Sequence, residues 1–218
     1  MQRCLLWDWD GVLADSLGLY FELYREVCRH FGKRLPIRNR QEFRDWYEPR
    51  WELNYLEMGF SQEGLDQALQ FALDWLDYSK VDLFPGVPAM LAGLAAEVPM
   101  AIVSTTPSPM IRGRLQAFGL EACFRLITGG EDGSSEKVEK IRQTLDSLGC
   151  SVAETPCRGV MVGDTRLDIE AARQHGLRTV AVTYGWQSPA RVLEAGPDRR
   201  VDRPEDLESV VRGALSDL

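Results

Sequence analysis

The stretch Asp8-Trp9-Asp10-Gly11-Val12-Leu13-Ala14-Asp15-Ser16 decides how the rest of the chain is read. It follows the apolar run Cys4-Leu5-Leu6-Trp7, which has the length and the polar bounds of a buried strand. In an α/β sheet, groups just past the carboxyl end of a strand line the ligand crevice, so Asp8 and Asp10 stand at the mouth of a site. Carboxylates so close repel each other. A divalent cation neutralises one and a raised pKa keeps the other protonated, which together supply a nucleophile and a general acid. Gly11 lets the backbone turn where a side chain would clash. The same residues also read as an ordinary turn or helix cap, so the flanking chain has to choose.

Directly after this stretch, Leu19, Leu23, Val27 and Phe31 recur at helical spacing and Gly32 follows as a stop. Residues 33–40 form a basic, proline-containing loop, either a solvated turn or a segment presenting positive charge to an anionic substrate. Phe43, Trp46, Tyr47, Trp51 and Tyr55 follow, with Pro49 interrupting any helix; such a stripe suits the core of a small helical bundle better than a base-stacking platform. Ser61 is placed to cap a further helix carrying Leu65, Leu69, Leu73 and Leu76. Residues 16–80 therefore read as an all-helical unit.

From Val81 the pattern alternates. Apolar strands are expected at Met100–Val103, Phe124–Ile127, Val160–Val162 and Thr179–Val182. Helices are expected through Met90, Leu91 and Leu94, over Pro109–Phe118 and Lys137–Leu148, and up to His175. Strands alternating with helices of this length imply right-handed parallel crossovers, hence an α/β fold with a doubly wound parallel sheet. Residues 1–15 and 81–218 form that core, and the helical unit 16–80 is inserted straight after its first strand.

Composition narrows the partners. With 44% hydrophobic and 27% charged residues the chain is globular, and a net charge of -8 argues against a nucleic-acid-binding surface. No apolar run reaches the length of a membrane span, and charge interrupts the N-terminus before a signal core forms, so a soluble cytoplasmic protein, a monomer or homodimer, is the expectation. The cysteines, Cys4, Cys28, Cys123, Cys150 and Cys157, are odd in number and scattered, which suits reduced thiols; Cys150 and Cys157 match no zinc spacing.

Polar residues follow the buried strands at Asp8 and Asp10, at Ser104 and Thr105, and at Asp164 with Asp168. Parallel strands bring these ends to one edge. Asp8, Asp164 and Asp168 offer hard oxygen ligands suited to Mg²⁺, although Asp168 also reads as a helix N-terminal charge. The Ser104 hydroxyl and the amides after it are suited to phosphate oxygens. Lys137, at a helix start, either adds the positive charge that carboxylate attack on a phosphate dianion requires or is a solvated helix residue.

Asp8-Trp9-Asp10-Gly11-Val12-Leu13, Val103-Ser104-Thr105, Lys137 and Gly163-Asp164 to Asp168 resemble the ordered motifs of the haloacid dehalogenase superfamily. The chain is similar to its phosphoglycolate phosphatase-like and β-phosphoglucomutase-like members, whose helical cap is inserted where residues 16–80 lie. The resemblance implies that Asp8 attacks phosphorus to give an aspartyl-phosphate, while Asp10 protonates the leaving oxygen and later activates water. It implies that the Asp8 side chain, the Asp10 backbone carbonyl and the Asp164 side chain hold Mg²⁺ with support from Asp168, and that Ser104, the Thr105 amide and Lys137 bind the phosphoryl group.

Departures from the family pattern are Trp9 for the usual Phe, expected to face away from the acids, Thr105 for a frequent Asn, and the missing Lys-Pro start at Lys137, which makes Lys140 a rival. The implied activity is a Mg²⁺-dependent phosphatase for a small phosphorylated metabolite, with a phosphomutase or a silent phosphate-binding protein as alternatives. Arg34, Arg38, Arg40, Arg44 and Arg50 make the early cap basic, which favours a substrate with charge beyond its phosphate, such as phosphoglycolate or a sugar bisphosphate.

Overall fold

The computed structural model describes residues 3–131, 136–150 and 158–218. The chain begins with strand β1 (Arg3–Trp7), whose residues from Cys4 onward are all buried. A tight turn leads to β2 (Ala14–Asp15). Four helices follow: α1 (Leu17–His30), α2 (Arg40–Trp46), α3 (Trp51–Glu57) and α4 (Leu65–Trp75). The chain then returns through β3 (Asp82–Leu83), α5 (Val87–Ala95), β4 (Met100–Val103) and α6 (Ser108–Ala117). Next come β5 (Leu126–Thr128), α7 (Lys137–Ser147), β6 (Arg158–Gly163) and α8 (Arg166–Gln174). It closes with β7 (Arg178–Val182), α9 (Pro189–Leu193), β8 (Arg199–Val201) and α10 (Leu207–Ser216).

The six-stranded sheet has the order β5-β4-β1-β6-β7-β8 and every pairing in it is parallel. From β1 the chain first builds outward on one side through β4 and β5, then crosses to the other side of β1 for β6. The order reverses there, so the loops after β1 and β6 part to leave a crevice at the carboxyl edge. Helices cover both faces, which is why β1, β4 and the middle of β6 are apolar on both sides rather than alternating.

The helical unit has a core of its own. Phe21, Tyr24, Val27, Phe43, Tyr55 and Ala68 pack in a cluster separate from the one around β1 and β4. Pro49 separates α2 from α3, as its missing N–H and fixed φ require. Asn39 caps α2 by accepting from the Glu42 amide. The two crossings between unit and sheet run side by side, Ala14 opposite Leu83 and Asp15 opposite Asp82 in an antiparallel pair.

Several elements differ from the sequence reading. Ser61 makes no side-chain cap; a short 3₁₀ turn, Gln62–Gly64, starts the helix instead. Phe124 lies outside β5, which begins only after the Arg125 amide bonds to the Met100 carbonyl. β8, α9 and α10 complete the sheet and its cover beyond the last expected strand. Cys4, Cys28 and Cys123 form no disulfide, as expected, but Cys150 is buried and disulfide-bonded, against the expectation of reduced thiols throughout. Cys157 lies outside the described residues. Among the described residues no helix is long and apolar enough to cross a membrane.

Candidate active site

Asp8 is the residue directly after β1, and its amide bonds to the Val162 carbonyl on β6, so the strand pairing itself delivers the carboxylate to the crevice. Asp164 follows β6 directly and Asp168 lies in the first turn of α8. One carboxylate oxygen from each of Asp8, Asp164 and Asp168 lies within 4.8 Å of the others. Lys137, the first residue of α7, reaches into this cluster from the far side of the sheet. Its Nζ donates to Asp8 Oδ1 at 2.7 Å and to the Val103 carbonyl at 2.7 Å, and pairs with Asp168 Oδ1 at 2.8 Å. Lys140, one turn on, is fully buried with its Nζ donating to the Gly129 carbonyl. Of the rival lysines, Lys137 is therefore the one that touches the acids.

Asp168 takes the helix-capping role read for it in the sequence and also faces the cluster. Its Oδ2 accepts from the Thr165 amide at 3.0 Å and from the Thr165 hydroxyl at 2.6 Å, completing a capping box at the start of α8. Its Oδ1 is left to face Lys137. Gly163 permits this approach, since a Cβ there would lie 2.2 Å from Asp168 Cβ.

Asp164 Oδ2 accepts from the Trp186 amide at 2.5 Å, while Asp164 Oδ1 is buried with no hydrogen-bond partner among the described residues. A buried carboxylate oxygen without a donor is costly unless a cation takes its place. Burial, followed by the Asp8 and Asp168 charges, raises the Asp164 pKa well above the ordinary carboxylate range. Burial likewise pushes Asp8 up to about 7, against the pull of Lys137. Lys137 is held protonated by Asp168 and Asp8, which outweigh its own burial. Acids thus outnumber the lysine facing them, and a divalent cation with oxygen preference fits the imbalance.

Asp10 is held by residues distant in sequence. Tyr78, just before the return to the sheet, donates its hydroxyl to Asp10 Oδ1 at 2.6 Å, and Thr106 donates to Asp10 Oδ2 at 2.5 Å. Trp9 lies past the end of β1, fully buried in the core, and does not line the cavity of Asp8 and Asp10. Its indole N–H donates to the Tyr78 hydroxyl at 2.8 Å, one bond removed from Asp10. Burial raises the Asp10 pKa, with hydrogen bonds from Ser16, Thr106 and Tyr78 opposing. Ser104 is buried with its hydroxyl accepting from the Thr106 amide at 3.1 Å, and exposed Thr105 lines the same cavity.

Tyr78, Thr106 and Trp186 were missed at the sequence level. Trp186 had a weaker signal, since it lies in the loop after β7, four residues past Val182. Tyr78 had none, being brought in by the chain's return from the helical unit.

The expected basic cap does not form a charged wall. Arg38 pairs with Glu42, and Arg44 donates to the backbone carbonyls of Thr183 and Gln187. Of the arginines singled out, Arg50 alone lines the cavity, and it pairs with Glu136 at 3.3 Å.

A sheet with this strand order, carrying carboxylates and a lysine at its switch point beneath a helical cover, defines an α/β enzyme of the doubly wound class. Residues 5–182 match the profile of the haloacid dehalogenase-like hydrolases, and the chain belongs to that family. It is 30% identical to a phosphoglycolate phosphatase of Synechococcus elongatus over 96% of this chain and 97% of that one. A haloacid dehalogenase-like hydrolase from Streptococcus pneumoniae superposes with a TM-score of 0.81 at 21% identity, over 96% and 98% of the two chains. A proposed β-phosphoglucomutase from Thermotoga maritima superposes at 0.68 with 25% identity, over 98% and 99%. By this kinship the chain is a hydrolase of the phosphatase type.

Proposed function

We propose that the chain is a Mg²⁺-dependent phosphatase that hydrolyses a small phosphomonoester through an aspartyl-phosphate on Asp8, acting in the cytoplasm as a monomer or homodimer. The observation that carries this reading is the buried cluster of Asp8, Asp164 and Asp168 around a single ammonium, with Asp164 Oδ1 left without a donor. Asp8 and Asp164 side chains and the Asp10 backbone carbonyl would hold the ion, with Asp168 supporting them; the bound ion supplies positive charge that offsets repulsion between carboxylate and phosphate.

The Ser104 hydroxyl, the Thr105 amide and the Lys137 ammonium bind the phosphoryl oxygens. The Asp8 carboxylate attacks phosphorus, and the ester oxygen departs as an alcohol on taking the proton of Asp10. Asp10, now a carboxylate, takes a proton from water as that water attacks phosphorus; phosphate leaves and Asp8 is regenerated. Tyr78 and Thr106 keep the Asp10 side chain in place through both steps. The unit 16–80 acts as a cap domain over the core 1–15 and 81–218, excluding bulk water from the acylphosphate.

The test is hydrolysis of p-nitrophenyl phosphate with Mg²⁺ and with EDTA, beside Asp8→Asn. Turnover that needs both the ion and Asp8 is the expected result. Turnover retained in Asp8→Asn removes the aspartyl-phosphate; a folded, Mg²⁺-supplied protein with no turnover of any ester leaves a phosphate-binding protein. A second reading, a phosphomutase, is favoured by the likeness to the Thermotoga maritima protein. Release of free phosphate from a hexose 1-phosphate rejects it, and isomerisation to the 6-phosphate supports it.

A further inference from the structure

The cavity above Asp8 measures about 660 Å³, a size that suits a ligand much larger than a two-carbon acid. Its lower wall holds the carboxylates, Ser104, Thr105 and Lys137. Its upper wall comes from α1, α3 and α4 and is chiefly apolar, with Trp51, Leu53, Leu56, Leu69, Leu73 and Leu76 among its residues. At the rim this wall is open to water: Leu53, Leu56 and Leu73 are 47%, 39% and 38% exposed. Among the described residues Phe118 is the one other large apolar side chain so exposed. Exposed leucines gathered at the mouth of one cavity mark a binding surface rather than chance exposure. The polar side chains on this wall include Gln62, Tyr20 and Tyr24, the two tyrosines already bonded to Thr106 and Asn54, and Glu52, which disfavours a second carboxylate. Arg50 is already paired with Glu136, and burying a charge or hydroxyls against leucines without partners is unfavourable.

Resting on the phosphatase reading above, we infer that the ester this site accepts carries an extended apolar organic group, which runs from the phosphate past Trp51 to the leucine rim. This departs from phosphoglycolate and sugar phosphates, whose organic parts are short and polar. The sheet edge takes the phosphate and the helical wall takes the hydrocarbon.

The test uses n-alkyl phosphates from ethyl to octyl, which share nearly the same leaving-group basicity and so differ in the buried chain alone. With Mg²⁺ present, kcat/KM rises by about fourfold per added methylene until the chain reaches the rim, as expected for burial of a methylene. Phosphoglycolate falls below butyl phosphate. The uncleaved n-alkylphosphonates, titrated calorimetrically, show the same slope in Kd. In Leu56→Gln and in Leu73→Gln, whose positions are partly exposed and tolerate polarity, the slope for the longer chains flattens. Turnover without any dependence on chain length, or phosphoglycolate as the best substrate, overturns the inference and leaves the phosphatase standing. A phosphonate slope without turnover of any ester keeps the apolar ligand and removes the phosphatase. A flat phosphonate series overturns the inference whatever the turnover.

Discussion

The wall of the cavity on the sheet side is made of strand ends that carry charge, whereas the wall facing it is made of helix faces that carry aliphatic and aromatic side chains. The charged wall is over-determined. Each acid is fixed by a strand end, a cap or a hydrogen bond from a distant residue, and Gly11 and Gly163 clear the space in which they meet. The apolar wall is held by packing, a non-directional interaction, and its residues sit on short helices joined by turns. On the proposed function, the chemistry falls to the wall fixed by directional bonds and the choice of ester to the wall fixed by packing.

The comparison breaks most readily at Asp10. Asp10→Asn keeps the shape of the charged wall and removes its proton, so kcat should fall by about 10²- to 10⁴-fold with little change in KM. If KM rises instead and kcat holds, Asp10 serves binding. Gly11→Ala attacks the same wall sterically: a Cβ would lie 2.1 Å from Asp164 Oδ2, at a residue with φ +75°. Strain at such a position costs about 1–3 kcal/mol, which denaturant unfolding reads directly, and Mg²⁺ affinity falls as Asp164 shifts.

A smaller effect separates the walls by pH. Without metal, Asp8 binds its proton more tightly when folded (about 7) than at the ordinary carboxyl value of 3.8, and Asp10 and Asp164 shift the same way. The folded state then holds more protons than the unfolded one, so the stability these acids contribute is fully present below about pH 4 and is lost as pH rises through about 7. EDTA-treated protein should melt at a lower temperature at pH 8 than at pH 5, and Mg²⁺ should raise the melting temperature more at pH 8. An Asp164→Asn protein with the same pH slope would show that Asp164 does not contribute to it, and the same slope in Asp8→Asn would remove Asp8 likewise. The smallest effect is expected at Arg38→Ala, on the outside of the cover: its pair with Glu42 is exposed, and neither KM nor melting temperature should move.

The charged wall was largely legible in the sequence, because an acid directly after a buried apolar run is a local signal and parallel topology turns such signals into neighbours. Asp8 and Asp164 meet for that reason, and Asp168 and Lys137 reach them from the first turns of α8 and α7. Tyr78 was not legible as a partner of Asp10, since it lies 68 residues away and nothing local marks it; Thr106, 96 residues away, lies in the polar run after β4, but nothing in the sequence pairs it with Asp10. The cover's helices could be read from their period, but where its arginines point could not. Charge on a helix says nothing about whether a glutamate or a backbone carbonyl has already taken it, and Arg38 and Arg44 are taken in those two ways. β8 escaped notice because it has three residues and two of them are exposed.

The antiparallel pairing of Ala14–Asp15 with Asp82–Leu83 means that the chain leaves for the helical unit and comes back at one doorway. Paired strands lie about 4.8 Å apart, a gap that a hairpin turn of a few residues can close. In topological terms the whole unit is a loop of the sheet, however large. Its chain path could be exchanged for another without rethreading a single strand, provided that the replacement again ends on a donor for Asp10, as Tyr78 is here.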